Sequence, residues 1–232
     1  MSSGADAYAR ARPVSRRTRW REAPLCALDF ETTGLDPARD EIISFGAVPI
    51  DGGRIRVAGA VEGLVRPRRM PGGATVRVHG ILPADLAAAP DPERALDPLL
   101  GALAGRVLVA HAAWVERGFL EPVLASGGLT LRGPVLDTAE LGREWRRRTG
   151  RRDTGTPDLA ALAAELGLPA ERRHTALGDA LTTAQAFLAL ATHLDAGRRH
   201  PRTVGSLART GRAPLGVRVP APPAAGGPER DG

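Results

Sequence analysis

At 232 residues the chain is long enough for one domain with a full core plus tails. Hydrophobic residues make up 43% but aromatics only 3%, so the core must be mostly Leu, Val, Ala and Ile, and no apolar run approaches the roughly 18 residues of a membrane span. All 32 basic residues are Arg and the formal charge is +6, which favours a polyanionic partner, although the Ala, Gly and Pro content makes the lack of Lys look like GC-rich codon usage.

Residues 1–22 carry clustered Arg with no apolar periodicity and no signal-type apolar stretch, so they are expected to be a disordered basic arm. PLCALDF, with the turn chemistry of TTGLDP behind it, predicts a buried strand. The single Cys26 within it has no partner for an internal disulfide, and a buried thiol implies a reducing, cytoplasmic setting. EIISFGAVPI, the Asp51-Gly52-Gly53 turn and RIRVAGAVEGLVRP read as an antiparallel hairpin. A helix over PERALDPLLGALAG, a strand RVLVAH, a helix over 113–126 and a brief strand GPVLD follow, the last leading into a helix through Trp145. TPDLAALAAELGL reads as a helix with a Thr cap and Pro at its first position, and an Ala- and Leu-rich helix spans about 175–194. Residues 198–232, rich in Arg, Pro and Gly, are expected to be a disordered tail. Antiparallel strands followed by strand–helix alternation imply an α/β fold, a mixed sheet flanked by helices, over 23–197.

Asp29 and Glu31 end the first strand two positions apart and so share a face. Two neighbouring carboxylates repel unless a cation lies between them, and oxygen ligands suit Mg²⁺ or Mn²⁺. Acids at a strand end also simply face solvent, and this pair alone leaves both readings open.

Three segments bear on the choice. DFETTGLD, LVAHAAWVERGFL and RRHTALGDALTTAQAF, the last with His174 and Asp179 in H-x-x-x-x-D spacing, together with VHGILPADLAAAP between the first two, resemble the DnaQ-like exonuclease superfamily in its histidine-bearing (DEDDh) branch. The resemblance covers residues 25 to about 190 and is closest to the proofreading subunits of bacterial DNA polymerase III. It implies a ribonuclease H-like fold and a metal-dependent 3′→5′ exonuclease releasing nucleoside monophosphates from single-stranded 3′ ends, DNA favoured, in proofreading or repair. It also implies two Mg²⁺ or Mn²⁺ ions held by Asp29, Glu31, Asp179 and Glu116, with His174 as general base. Substrate contacts would fall on Thr32, Thr33, Leu35, His79 and Ile81, with the core as an alternative for Leu35 and Ile81 and the loop surface for His79.

The second motif departs from the family's H-N-x-x-F-D. Here Asn is Ala112, Phe is Val115 and the metal-binding Asp is Glu116, one methylene longer. Glu121 or Asp137 are the alternative carriers of that charge, though Asp137 also suits a helix N-cap. His111 reads equally as a structural histidine or a substrate contact, and REWRRRTGRR, 143–152, as a phosphate track or a solvated helix end. Alternative functions are a 3′→5′ exoribonuclease and a nucleic-acid-binding module that has lost catalysis. A DNA polymerase is a further implied partner, docked by 198–232; no membrane partner is expected.

Overall fold

The computed structural model describes residues 3–72, 76, 79–151, 155, 158–169 and 174–210. Its centre is a six-stranded mixed sheet in the order β3-β2-β1-β5-β6, with β4 also pairing β2. β1 (Leu25–Thr32) runs antiparallel to β2 (Ile42–Asp51) and parallel to β5 (Val107–Ala110), which is parallel to β6 (Val135–Asp137). β3 (Arg54–Ile55) and β4 (Val61–Leu64) both return antiparallel onto β2. The turn into β3 places Gly52 and Gly53 at φ 59° and 69°, the left-handed pair that a tight hairpin needs. The expected hairpin is thus present, its second arm broken by a 3₁₀ turn at Val57–Gly59.

Nine α-helices are described: α1 (Ser3–Arg10), α2 (Pro83–Ala88), α3 (Pro92–Ala95), α4 (Asp97–Leu103), α5 (Trp114–Ser126), α6 (Thr138–Arg148), α7 (Leu159–Glu165), α8 (Ala176–Asp195) and α9 (Val204–Leu207). The single helix expected over PERALDPLLGALAG is two, α3 and α4, joined at Leu96 and restarted by Pro98. Asp158, not a threonine, caps α7 by accepting from Ala160 N at 2.9 Å; Thr156 and Pro157 lie outside the described residues.

Strand alternation sorts the core onto two faces. Leu25 and Ala27 of β1 join Val107, Val109 and the α8 residues Ala180, Ala184 and Phe187 on one face. Cys26, Leu28 and Phe30 join Leu99, Leu108, Phe119 and Leu120 on the other. Asp29 and Glu31 continue the odd-numbered series, so they point to the side covered by α8. Gly46 pairs with Asp29 across β1–β2, and a Cβ there would lie 2.3–2.4 Å from the backbone of Ala176 and Leu177. The missing side chain lets the start of α8 rest directly on the sheet.

Both termini depart from expectation. The arm expected over 1–22 is folded from Ser3: α1 packs on α4, with Gly4 and Ala5 N–H groups donating to Asp97 Oδ1 at 2.7 and 3.1 Å. Tyr8 and Trp20 are buried, and the Trp20 indole donates to Asp195 Oδ2 at 2.8 Å while standing edge-on to Phe187. Two large rings and hydrogen bonds to residues remote in the chain hold a segment that shows no apolar periodicity. The tail expected from residue 198 likewise joins the core through Val204 and Leu207, and an Arg19–Thr203 bridge links the two ends. Residues 211–232 of that tail lie outside the described residues. Among the described residues no helix is long and apolar enough to cross a membrane.

Candidate metal-binding site

The carboxyl-terminal ends of β1, β5 and β6 meet the amino-terminal ends of α5, α6 and α8, an edge where α/β sheets commonly bind ligands. Asp179 lies in the first turn of α8, whose Thr175 cap accepts from Gly178 N at 3.2 Å. One carboxylate oxygen from each of Asp29, Glu31 and Asp179 lies within 4.8 Å of the others. Asp179 Oδ2 also accepts from the His174 backbone N–H at 3.0 Å.

Such crowding disfavours the charged forms. Asp29 is raised well above the usual carboxylate range, first by burial and then by the charges of Glu116, Asp179 and Glu31. Glu31 is pushed up to about 7 by burial and by Asp179. Divalent cations would reverse these shifts, because they supply the opposite charge that the pocket lacks.

Glu116, in the first turn of α5, is only 3% exposed, and its Oε2 has no hydrogen-bond partner. Burial, with Asp137 adding to it, pushes this carboxyl up to about 8. Glu116 stands outside the trio of converging oxygens, yet its charge is the largest that Asp29 feels. Glu116 is thus close enough to Asp29 to act on its charge without joining the trio. A buried carboxylate with an orphaned oxygen is costly unless it takes a proton or a cation. Both candidate replacements are otherwise engaged: Glu121 is exposed and paired with Arg117 at 2.7 Å. Asp137 is a cap, as its position suggested, but a double one. It accepts from Ala139 N at the start of α6 and from Ala112 and Ala113 N just ahead of α5, at 2.9, 3.1 and 3.0 Å. The chain bends at Ala112, φ 54°, to reach it.

His174 is exposed, with a left-handed backbone, φ 59°, that turns the chain into the α8 cap. Arg172 and Arg173 lie outside the described residues. His111 is anchored: Thr138 Oγ1 donates to Ala110 O at 3.2 Å, so its contact of 2.9 Å with His111 Nδ1 requires the ring to donate there.

The Thr32–Asp40 loop is tied to itself. Thr32 Oγ1 donates to Gly34 O at 2.6 Å, Thr33 Oγ1 to Asp40 Oδ1 at 3.1 Å, and Glu41 N returns a bond to the Thr33 hydroxyl at 3.0 Å. Leu35, at the loop's tip, is 67% exposed and takes no part in the core. His79 is buried rather than on a loop surface; its Nδ1 accepts from Ile81 N at 3.0 Å, burial lowers its pKa, and Ile81 is half-buried. In the basic run, Arg146 is buried in a bidentate pair with Glu165, while Arg147 and Arg148 are drawn to Glu144. These pairings favour a structural helix end over a phosphate track. Sequence reasoning passed over Trp114, which is 59% exposed two residues before Glu116. A cavity of about 650 Å³ lined by Arg66, Leu96 and Val123 includes none of Asp29, Glu31, Glu116 and Asp179.

A mixed sheet whose central strand carries paired acids toward a helix bearing a third defines a ribonuclease H-like α/β protein with an acidic, metal-competent edge. The model of the exonuclease family matches residues 26–187, and the chain belongs to that family, within the DnaQ-like superfamily. It is 41% identical over 185 residues to a DNA polymerase III subunit epsilon-like protein of Rhodobacter capsulatus, covering 75% of this chain and 25% of that protein. It is 35% identical over 178 residues to a PolC-type DNA polymerase III of Thermotoga maritima, covering 76% of this chain and 12% of the relative. The chain thus spans a quarter or less of the length of these two relatives. The solved structure of Exonuclease X in complex with 5′ overhanging duplex DNA superposes with a TM-score of 0.59 at 22% identity, covering 79% of this chain and 99% of that one.

Proposed function

We propose that the chain is a 3′→5′ exonuclease that removes nucleoside monophosphates from single-stranded 3′ ends of DNA with two Mg²⁺ or Mn²⁺ ions. The observation that carries the reading is the convergence of Asp29, Glu31 and Asp179 within 4.8 Å. The all-carboxylate donor set and the orphaned Glu116 Oε2 beside it fit hard divalent cations. Asp29, which is grouped with Glu31 and Asp179 and also feels the charge of Glu116, would serve both ions, Glu31 and Asp179 one, and Glu116 the other. Bound there, the ions supply an activated water and charge stabilisation for the leaving oxygen.

The chain's own groups then have defined tasks. His174, tethered to Asp179 through its backbone, takes the proton from the attacking water at its imidazole. Leu35 and the Thr32–Asp40 loop wall the cleft beside Glu31, and His79 with Ile81 flanks the base. A cytoplasmic setting and a polymerase partner draw support from relatives named as DNA polymerase III proteins.

The longer side chain of Glu116 favours one competing reading, a strand-binding module without catalysis. The test is incubation of matched 5′-labelled DNA and RNA oligonucleotides with Mg²⁺ or Mn²⁺. The expected result is stepwise shortening of the DNA from its 3′ end, abolished by chelator and by Asp29→Ala. Activity that persists in Asp29→Ala would overturn the enzyme reading, and faster loss of the RNA would reassign the substrate.

A further inference from the structure

The chain has three Trp, one Tyr and four Phe, and seven of these eight rings are 7% exposed or less. Trp114 alone is open, at 59%. Leaving a Trp ring in water forfeits the largest apolar burial any side chain offers, and here the position is the first of α5. The amino-terminal end of α5, which Trp114 opens, also carries Glu116 in its first turn, so the exposed ring sits on the helix end that supplies one of the acids. Glu116 is two positions on, which turns it to a different, buried face of the helix.

The face that Trp114 occupies is fixed by Gly118, one turn further along. A Cβ at Gly118 would lie 2.7 Å from Pro37 Cγ, so α5 is packed against the loop that carries Leu35. Two exposed apolar groups, Trp114 on α5 and Leu35 on the loop packed against that helix, are thereby carried by adjoining elements.

We propose that Trp114 is a stacking platform for a nucleobase of the substrate strand. This rests on the nuclease reading and adds a binding element to it. The occupant is set by continuity: a strand with its phosphate among the acids presents its bases to the adjoining surface, and a flat indole offers a π-face that any base can use. A single ring suits a short single-stranded end and explains why Trp occurs in a chain so poor in aromatics.

The test uses the full chain carrying Asp29→Asn, so that the strand is not consumed, with an oligothymidylate roughly ten nucleotides long. Because Trp20 and Trp145 are buried, quenching of indole fluorescence on binding is expected from Trp114 and lost in Trp114→Phe. Measured with a 5′-labelled strand, Trp114→Ala should bind about tenfold more weakly and Trp114→Phe within about twofold. With Asp29 intact and Mg²⁺ present, Trp114→Ala should raise KM while kcat changes far less. An unquenched indole, or equal affinity in the Ala variant, overturns the platform. Hydrolysis without quenching sinks the platform alone; quenching without hydrolysis keeps it and sinks the nuclease reading; neither sinks both.

Discussion

Gly46 stands directly opposite Asp29 in the β1–β2 ladder, and the space above it is filled by the backbone of Ala176 and Leu177. The absence of one side chain on β2 therefore sets how near Asp179, three residues after Ala176, comes to the acids of β1. Gly46→Ala should force α8 outward, costing about 1–3 kcal/mol of stability. Turnover should fall further than stability predicts, since the carboxylates separate. Urea denaturation and oligonucleotide hydrolysis on the same preparation check this, and full activity would show that α8 has slack.

Glu31 at about 7 and Glu116 at about 8 both titrate above the ordinary glutamate value in the folded chain. Between that value and about 8 the folded state holds protons the unfolded chain has released, so stability declines with rising pH. Metal-free protein should melt at a higher temperature near pH 5 than near pH 9. Mg²⁺ should raise Tm more at the alkaline end, where the carboxylates are bare. A flat pH profile in chelator would contradict the crowding.

Glu116 separates catalysis from stability. Glu116→Asp should retain or raise activity, and Glu116→Ala should lower it sharply. In chelator at alkaline pH, Glu116→Gln should melt no lower than the parent, because it removes a buried charge with an unpartnered oxygen. An unchanged rate in the Ala variant would show the carboxylate to be dispensable.

Asp137→Ala should act at a distance. It strips the acceptor from three backbone N–H groups at the starts of two helices, a loss of about 1–2 kcal/mol at each cap. With the start of α5 loosened, Mg²⁺ should protect the variant less against heat. Thermal melts with and without the ion would reveal that loss.

Trp20→Ala should cost about 3–5 kcal/mol, the usual penalty for emptying a large aromatic site. The ring is fully buried against Phe187 and bonded to Asp195. A disordered arm would instead tolerate the change with no shift in the urea midpoint.

The central sheet was readable because its strands are apolar runs bounded by turn residues, and α8 because it is a long Ala- and Leu-rich stretch. Asp29, Glu31 and Asp179 were found through spacing and resemblance, and the structure brings them together. The terminal segments were not readable for a physical reason. Tyr8, Trp20, Val204 and Leu207 are isolated apolar residues among Arg, Gly and Pro, and each is buried by partners remote in the chain. The second role of Asp137 was equally hidden, since two of its three donors lie 24 and 25 residues upstream. Trp114 carried a signal that went unused: a scarce aromatic beside a motif acid.

The interlock of the two ends has a mechanical side. Trp20 N donates to Arg202 O at 3.1 Å and Val204 N to Thr18 O at 2.9 Å, so entering and leaving chain run against one another over α8. Tension applied through flanking polypeptide would load this clasp before it reached the sheet, and the acid-bearing strand would be shielded until the clasp tore.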